Sequence, residues 1–597
     1  AWRTGRGEWK SWGYAVCGLL AGLSVAAEYT AALALVPLAV YTVWTAPGGR
    51  AGKLRATVLG LLGVLPLALA MMAYHQVAFG HPLHSGYKYL NDAAYHEIRR
   101  LESQGDKEAK ESLPFWRSFI RRIAKMSEHE KRRALDAMLE HMARDVAGNF
   151  DRRVYDFARG AAPRLLTGLM QPSSLPSELF GKGPSTIERL LNVEGPIDKL
   201  RRLEDVGTLV YVPTHSSNMD SIVLATALDR VGLSPVVYGA GKNLFTNPII
   251  SFFMHNLGAY RVDRRIRVRA YKSVLKTYAQ VMVERNYHSL FFPGGTRSRS
   301  GMIEHRLKLG LLGAAVQAFS RNQARGIGRP VYFVPATINY ALVLEAETLI
   351  EDWLKERGQA RYIIEDDEFS RIDRWAAFFR KIMGLSSACI IRFGDPIDPF
   401  GNPIDDEGRS IAPSGNVIDP RSYTLRDGKA VEDHARDAAY TQELGEILVT
   451  RYREETVLMA TQIVAHVLYR HLVEKSSSRD VYARVRMRGE VSMPLSTLHA
   501  EVNAVRDALL SAMHRGEVRV STFVRAETPE RIVARALEIW SGYHERTAAH
   551  VERGSVVIDD PLLLLYYQNR LMPFAEILGS DASRRAAAEI YALESSR

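Results

Sequence analysis

Cysteine is nearly absent: Cys17 and Cys389 are the two thiols in 597 residues. Two cysteines make neither a disulfide framework nor a thiolate zinc site, and they fit a reducing compartment. The sequence also lacks an internal repeat, a low-complexity block and a signal peptide with a cleavage site. It opens with Ala1 rather than Met, which reads as a cut inside a longer protein. Acidic residues fall short of basic ones, 67 against 78, for a formal charge of +11. That excess favours anionic partners: phosphorylated substrates, acidic carrier proteins, nucleic acid or an anionic lipid surface. No nucleic-acid reading motif accompanies the charge, so a nucleic-acid partner is not expected.

Long apolar runs are missing after the first ninety or so residues, and before that they dominate. Residues 12–44 and 56–79 are almost wholly apolar. At ~1.5 Å rise per residue the first run exceeds a ~30 Å bilayer core, so it is one tilted helix or two spans broken near Glu28. The second suffices for one span. Residues 46–55 read as a loop between them, and Arg50, Lys53 and Arg55 put that loop on the cytoplasmic side. Glu28 falls at mid-membrane depth, where a carboxylate is either functional or marks a span boundary.

The remainder divides by texture. Residues 1–95 are a membrane segment of two or three spans, and 96–205 are charged with helical apolar spacing, as at 116–125 and 134–146. Residues 171–176 read as a loop. From 206 to 400, short β-rich runs alternate with helical ones. Strands are predicted at 208–213, 235–238, 259–262, 289–292, 331–335 and 389–393, with helices at 222–231, 270–284 and 309–319. The alternation predicts an α/β domain, a sheet flanked by helices, with ligand sites beyond the strand ends. Residues 401–429 read as a long loop, and the chain to 597 as a helical C-terminal region.

Four segments carry chemistry. In Val212-Pro-Thr-His-Ser-Ser-Asn-Met-Asp220 a strand ends at Pro213, His215 sits in the turn and Asp220 falls near the next helix start. A carboxylate on one imidazole nitrogen fixes the tautomer and leaves the other nitrogen basic toward an alcohol. Taken alone, the spacing is also that of a polar turn with a helix cap. In Gly258-Ala-Tyr-Arg-Val-Asp-Arg-Arg265, Arg264 with Arg261 and Arg265 would meet an anion at a strand end. In Phe291-Phe-Pro-Gly-Gly-Thr-Arg-Ser-Arg-Ser-Gly301, glycines admit a phosphate and Arg297 can pair with it bidentately. Val334-Pro-Ala-Thr-Ile-Asn-Tyr340 is a further strand end, more wall than catalyst.

In this order and spacing the four segments resemble the four blocks of the glycerolipid acyltransferase family. The wider context, including Tyr238-Gly-Ala-Gly-Lys-Asn-Leu244 and, more loosely, Tyr566-Tyr-Gln-Asn-Arg570, resembles the large bacterial glycerol-3-phosphate and dihydroxyacetone-phosphate acyltransferases. The resemblance implies an α/β acyltransferase domain at 206–400 in which His215 is the general base and Asp220 its orienting partner. It implies that Arg264 and Arg297 hold the acceptor phosphate in a pocket shaped by Gly295, Thr296 and Ser298, and that Pro335 lies on the acyl-chain side. The implied activity transfers an acyl group from acyl-CoA or acyl-carrier protein to glycerol 3-phosphate, by direct attack on the thioester, for phospholipid synthesis. No metal or prosthetic group is implied. A bacterial inner-membrane location with a cytoplasmic catalytic domain follows, with anionic lipid as neighbour. The alternative acceptor is 1-acylglycerol 3-phosphate.

One departure stands out. The third block of the family usually carries a glutamate two residues after its phenylalanine, associated with acceptor binding; here that position is Gly294, and Glu304 is a nearby carboxylate. The second block has Asp263 before Arg264, closer to the smaller lysophosphatidate enzymes. Decay at Gly294 would leave a catalytically idle membrane adaptor as the reading of another class. The spans around Glu28 and residues 74–87 weakly resemble the closing part of a polytopic bacterial lipid-linked glycosyltransferase.

Overall fold

The computed structural model describes residues 12–27, 31–47, 49–79, 94–95, 97–99, 101–102, 107–123, 126–158, 191–245, 248–263, 266, 268–357, 389–476, 480–541, 544, 546–579 and 581–595. Contacts divide the chain into two compact units, residues 1–145 with 263–274, and residues 146–262 with 275–597. Glu28, residues 80–93 and residues 171–176 fall outside the described residues.

In the first unit three apolar helices, Gly13–Ala27, Ala31–Trp44 and Gly49–Phe79, follow one another. Among the described residues one stretch, Gly49–Tyr74, is long and apolar enough to cross a membrane, with a mean hydropathy of 2.2. It leaves Leu54, Leu61, Leu62 and Leu69 exposed, where a helix in water would bury them. The loop expected at 46–55 is shorter than that: Arg50, Lys53 and Arg55 stand on the first turns of this helix, which runs on through Gly52. The first and third helices cross almost backbone to backbone. A Cβ on Gly18 would lie 2.0 Å from the Gly60 carbonyl oxygen, so only glycine permits the approach.

The second unit is built on a seven-stranded mixed sheet. Its strands are β1 (Leu191–Glu194), β2 (Thr208–Pro213), β3 (Val237–Gly241), β4 (Ala259–Val262), β5 (Ser289–Leu290), β6 (Val331–Tyr340) and β7 (Cys389–Phe393), in the order β1-β7-β6-β2-β5-β3-β4. From β6 to β4 all neighbours are parallel, whereas β7 is antiparallel to β6 and β1 follows β7. All six residues of β2 are buried, as expected of a central parallel strand covered on both faces. The parallel run brings the carboxyl ends of β2 and β5 to one edge, so their following loops meet there.

Several expectations needed adjustment. β1 lies in the stretch read as helical, because four residues pairing with β7 at an edge leave no alternation to detect. β3 is shifted to include Gly239 and Gly241, poor strand formers that pairing with β4 recruits. β6 continues to Tyr340 because β7 pairs with its second half. The segment 401–429 contains two small hairpins, Ser410–Ile411 with Val417–Ile418 and Leu425–Arg426 with Lys429–Ala430. The C-terminal region is mainly helical, as expected, but also holds a three-stranded sheet of Ser492–Pro494, Ser555–Ile558 and Ala549–Glu552.

The C-terminal region is fastened to the sheet through Glu455, at the end of the helix His434–Glu455. Its buried carboxylate meets Arg392 of β7 at 2.5 Å and Arg519 at 2.9 Å, and its carbonyl accepts the Thr337 hydroxyl of β6 at 2.7 Å. Removing one partner of a buried ion pair strands the other, at roughly 3–5 kcal/mol. We therefore expect Glu455→Ala to lower unfolding stability by about 3 kcal/mol, read from denaturant midpoints at constant m.

A second prediction concerns acid. His288 Nδ1 accepts the Leu209 N–H at 3.0 Å, which requires a bare nitrogen, and burial with the Arg329 charge lowers its pKa to about 4. The unfolded chain, with histidine near 6.5, takes up protons that the folded chain refuses. Stability conferred above pH 6.5 is therefore lost as pH falls toward 4, by about 1.4 kcal/mol per unit. Urea titrations between pH 7 and 5 should show a shallower loss for His288→Gln by about that slope.

Candidate active site

The loop after β2 turns sharply into the helix Asp220–Arg230, and the turn closes on the Asp220 carboxylate. His215 Nδ1 lies 2.7 Å from Asp220 Oδ2, which also accepts the backbone N–H groups of Ser216 at 2.6 Å and Ser217 at 3.0 Å. Oδ1 accepts the Tyr340 hydroxyl at 2.8 Å. Asp220 is fully buried, and four donors compensate its charge. With a carboxylate on Nδ1, that nitrogen carries the proton and Nε2 is the basic one. Among the described residues Nε2 makes no hydrogen bond, and the ring stacks on Phe292 with centroids 4.2 Å apart. Burial and the neighbouring Asp220 push the Tyr340 phenol well above its usual range, so it stays a donor.

The loop after β5 embraces the same histidine. Ser298 N–H donates to the His215 carbonyl at 2.7 Å, while the Ser298 hydroxyl is spent on the Met302 carbonyl. Gly295 sits at φ +74°, within a turn closed by its N–H on the Phe292 carbonyl at 3.0 Å; Thr296 follows on that turn. Gly301, at φ +78°, lets the Tyr566 backbone come close: a Cβ there would stand 2.1 Å from its carbonyl oxygen. Arg297 Nη1 is 3.3 Å from Glu345 Oε1. Glu345 is 4% exposed and also receives the Ser217 hydroxyl at 2.9 Å and the Asn218 N–H at 3.0 Å.

His215, Asp220, Arg297 and Ser298 are therefore brought together. Arg264 lies outside the described residues. Pro335 is buried within β6 opposite Val212, its carbonyl accepting Gly394 N–H at 2.8 Å, and it belongs to the sheet interior. A small cavity beside the dyad is lined by Ser216, Ser298, Tyr340, Tyr566, Tyr567 and Arg570. The last three come from the C-terminal region, more than two hundred residues away, where no local pattern tied them to the dyad. Glu345 had a signal that went unused: one acid in the apolar run Ala341-Leu-Val-Leu-Glu-Ala346 needs a buried partner.

A family model described as Acyltransferase matches residues 196–339, which span β2 to β6 and all of the residues around the dyad up to Asn339. Residues 196–339 thus carry a domain that this model describes as Acyltransferase. Among curated proteins, it is similar to the glycerol-3-phosphate acyltransferase of Pseudomonas paraeruginosa, at 32% identity over 158 residues, covering 26% of this chain and 18% of that one. That of Aeromonas hydrophila is 30% identical over 211 residues, covering 35% and 24%. The chain thus spans a quarter or less of the length of these relatives. A solved 1-acyl-sn-glycerophosphate acyltransferase from Thermotoga maritima aligns at 14% identity over 53% of this chain and 97% of that one, at a TM-score of 0.23, too low to bear on the fold.

The acyltransferase domain depends on Glu345 to link its first and third blocks. Glu345→Ala leaves the Ser217 hydroxyl and the Asn218 N–H unanswered and releases Arg297. Hydrogen bonds to a charged group contribute about 1.5–3 kcal/mol each. We expect a stability loss of about 3 kcal/mol by chemical denaturation, with Glu345→Gln recovering part of it.

Proposed function

We propose that this protein transfers an acyl group from acyl-CoA or acyl-carrier protein to the hydroxyl of glycerol 3-phosphate. The observation that carries this reading is the His215–Asp220 contact at 2.7 Å, with the Asp220 carboxylate fully buried and His215 Nε2 left for a substrate. The acceptor hydroxyl gives its proton to Nε2 as its oxygen attacks the thioester carbonyl carbon. The imidazolium is stabilised by Asp220 without proton transfer to it. The tetrahedral intermediate collapses, the C–S bond breaks, and the thiolate takes the proton back from Nε2. No acyl-enzyme is needed. Burial and the Asp220 charge hold the Cys389 thiol well above the range in which it would be a nucleophile, which supports direct attack.

Arg297 beside Glu345 is a described cation of the third block, and with Arg264 it would hold the acceptor phosphate, Gly295, Thr296 and Ser298 shaping the turn around it. The second acceptor reading is 1-acylglycerol 3-phosphate. The apolar stretch Gly49–Tyr74 supports membrane anchoring, which suits a lipid product, and Arg50, Lys53 and Arg55 at its start favour a cytoplasmic end at the bacterial inner membrane. The net positive charge suits anionic lipid and the acidic donors.

The test is transfer from acyl-CoA and from acyl-carrier protein to radiolabelled glycerol 3-phosphate and, separately, to 1-acylglycerol 3-phosphate. His215→Ala and Asp220→Asn should each lower kcat by about 10²–10⁴ while the melting temperature stays within a few degrees. A His215→Ala protein that transfers at the wild-type rate would remove His215 as the base, and a wild-type protein that binds donor and transfers nothing would establish the idle adaptor instead.

A further inference from the structure

Gly294 has no side chain, and the space above it is filled. A Cβ at Gly294 would stand 3.2 Å from Glu304 Cγ and 3.5 Å from Glu304 Oε1. That same oxygen accepts the His215 backbone N–H at 2.5 Å. With Ser298 N–H on the His215 carbonyl at 2.7 Å, both backbone polar groups of the histidine are held by the segment that follows β5. The other oxygen, Glu304 Oε2, is buried and has no hydrogen-bond partner among the described residues.

Such a carboxylate is costly. Burial raises the Glu304 pKa, and of the influences opposing that, the Arg570 charge is the largest, ahead of the His215 N–H bond. Arg570 is itself buried, and the Glu304 charge leads those that favour its charged form. It is anchored by long contacts, at 3.4 Å, to the Ile338 carbonyl and Asn339 Oδ1 of β6. Holding one backbone N–H does not require an ionisable group, and an apolar side chain over Gly294 would spare the desolvation of a charge. The arrangement makes sense if the position of His215 itself is what matters. His215 begins the tight turn that points its ring at Asp220, and a ~1 Å displacement of such a group can lower a rate by roughly 10²-fold.

We propose that Glu304 is a positioning residue for His215: its carboxylate enters the space that Gly294 leaves open and pins the histidine backbone, and Arg570 from the C-terminal region steadies its charge. This rests on the reading of His215 as the base. It gives glycine at 294 a reading other than decay, since the Glu304 side chain packs against it and brings a carboxylate to the histidine backbone from ten positions on.

The test uses the full chain and four variants: Glu304→Gln, Glu304→Gly, Gly294→Glu, and the double Gly294→Glu/Glu304→Gly. Glu304→Gln should lower kcat roughly 10-fold and Glu304→Gly roughly 100-fold, with KM within about twofold. Gly294→Glu alone should also lose activity, because two side chains then claim one space. The double variant should regain at least about tenfold over Glu304→Gly. Hydrogen exchange of the peptide containing His215 should quicken in Glu304→Gln. Wild-type kcat in Glu304→Gly with only a lower melting temperature, or a double variant no faster than Glu304→Gly, overturns the proposal. So does unchanged exchange at His215. That last readout needs no acyl transfer, so it fails or succeeds separately from the assigned reaction.

Discussion

A carboxylate with no access to water holds this site together. Asp220 gathers the His215 Nδ1–H, the N–H groups of Ser216 and Ser217, and the Tyr340 hydroxyl, all within 3.0 Å. A buried anion must be answered by donors, and those donors lie on the loop after β2 and at the end of β6. The loop conformation, the tautomer of the histidine and the packing of β6 beside β2 are consequently one constraint. Loosening any of them leaves charge unanswered, which is why the turn has little freedom to place the imidazole elsewhere.

Around this centre the same economy recurs in layers. Glu345 links the Ser217–Asn218 turn to Arg297, Glu304 links the His215 backbone to the space above Gly294, and Glu455 links β6 and β7 to the C-terminal helices. Each is a buried acid tying together segments distant in sequence. The C-terminal region is therefore more than an appendage to the sheet: Asn569 donates to the Ser300 carbonyl at 2.8 Å, the Tyr567 hydroxyl receives the Val343 N–H at 3.2 Å, and Tyr566 and Arg570 close one side of the cavity. A loop buttressed from two directions holds its side chains more firmly than one carried on the sheet alone.

The elements that were legible from sequence are those with strong local signals. β2, β4 and β7 fall at the residues expected, because each is a short β-rich run between turn or helix signals, and the helices at 220–230, 269–284 and 309–324 follow their apolar spacing. β1 and the second half of β6 were not legible, since their strand character comes from pairing with β7, about fifty residues further on for β6 and nearly two hundred for β1. The same holds for the short C-terminal sheet, whose strands of three or four residues have no stability outside their partners.

At the site, sequence alone determined which residue types stand next to one another along the chain: a histidine five positions before an acid, a strand before it and a helix after it, and arginines in a glycine-rich turn. Those are local matters of backbone propensity and spacing, and they are enough to nominate His215, Asp220 and Arg297. Only the tertiary structure decided that the acid is buried and accepts from protein donors, that Tyr340, Glu345 and Arg570 belong to the same site, and that Glu304 packs against Gly294. Burial and proximity are properties of the packed chain, because desolvation of a charge depends on every segment that covers it and not on its neighbours in sequence.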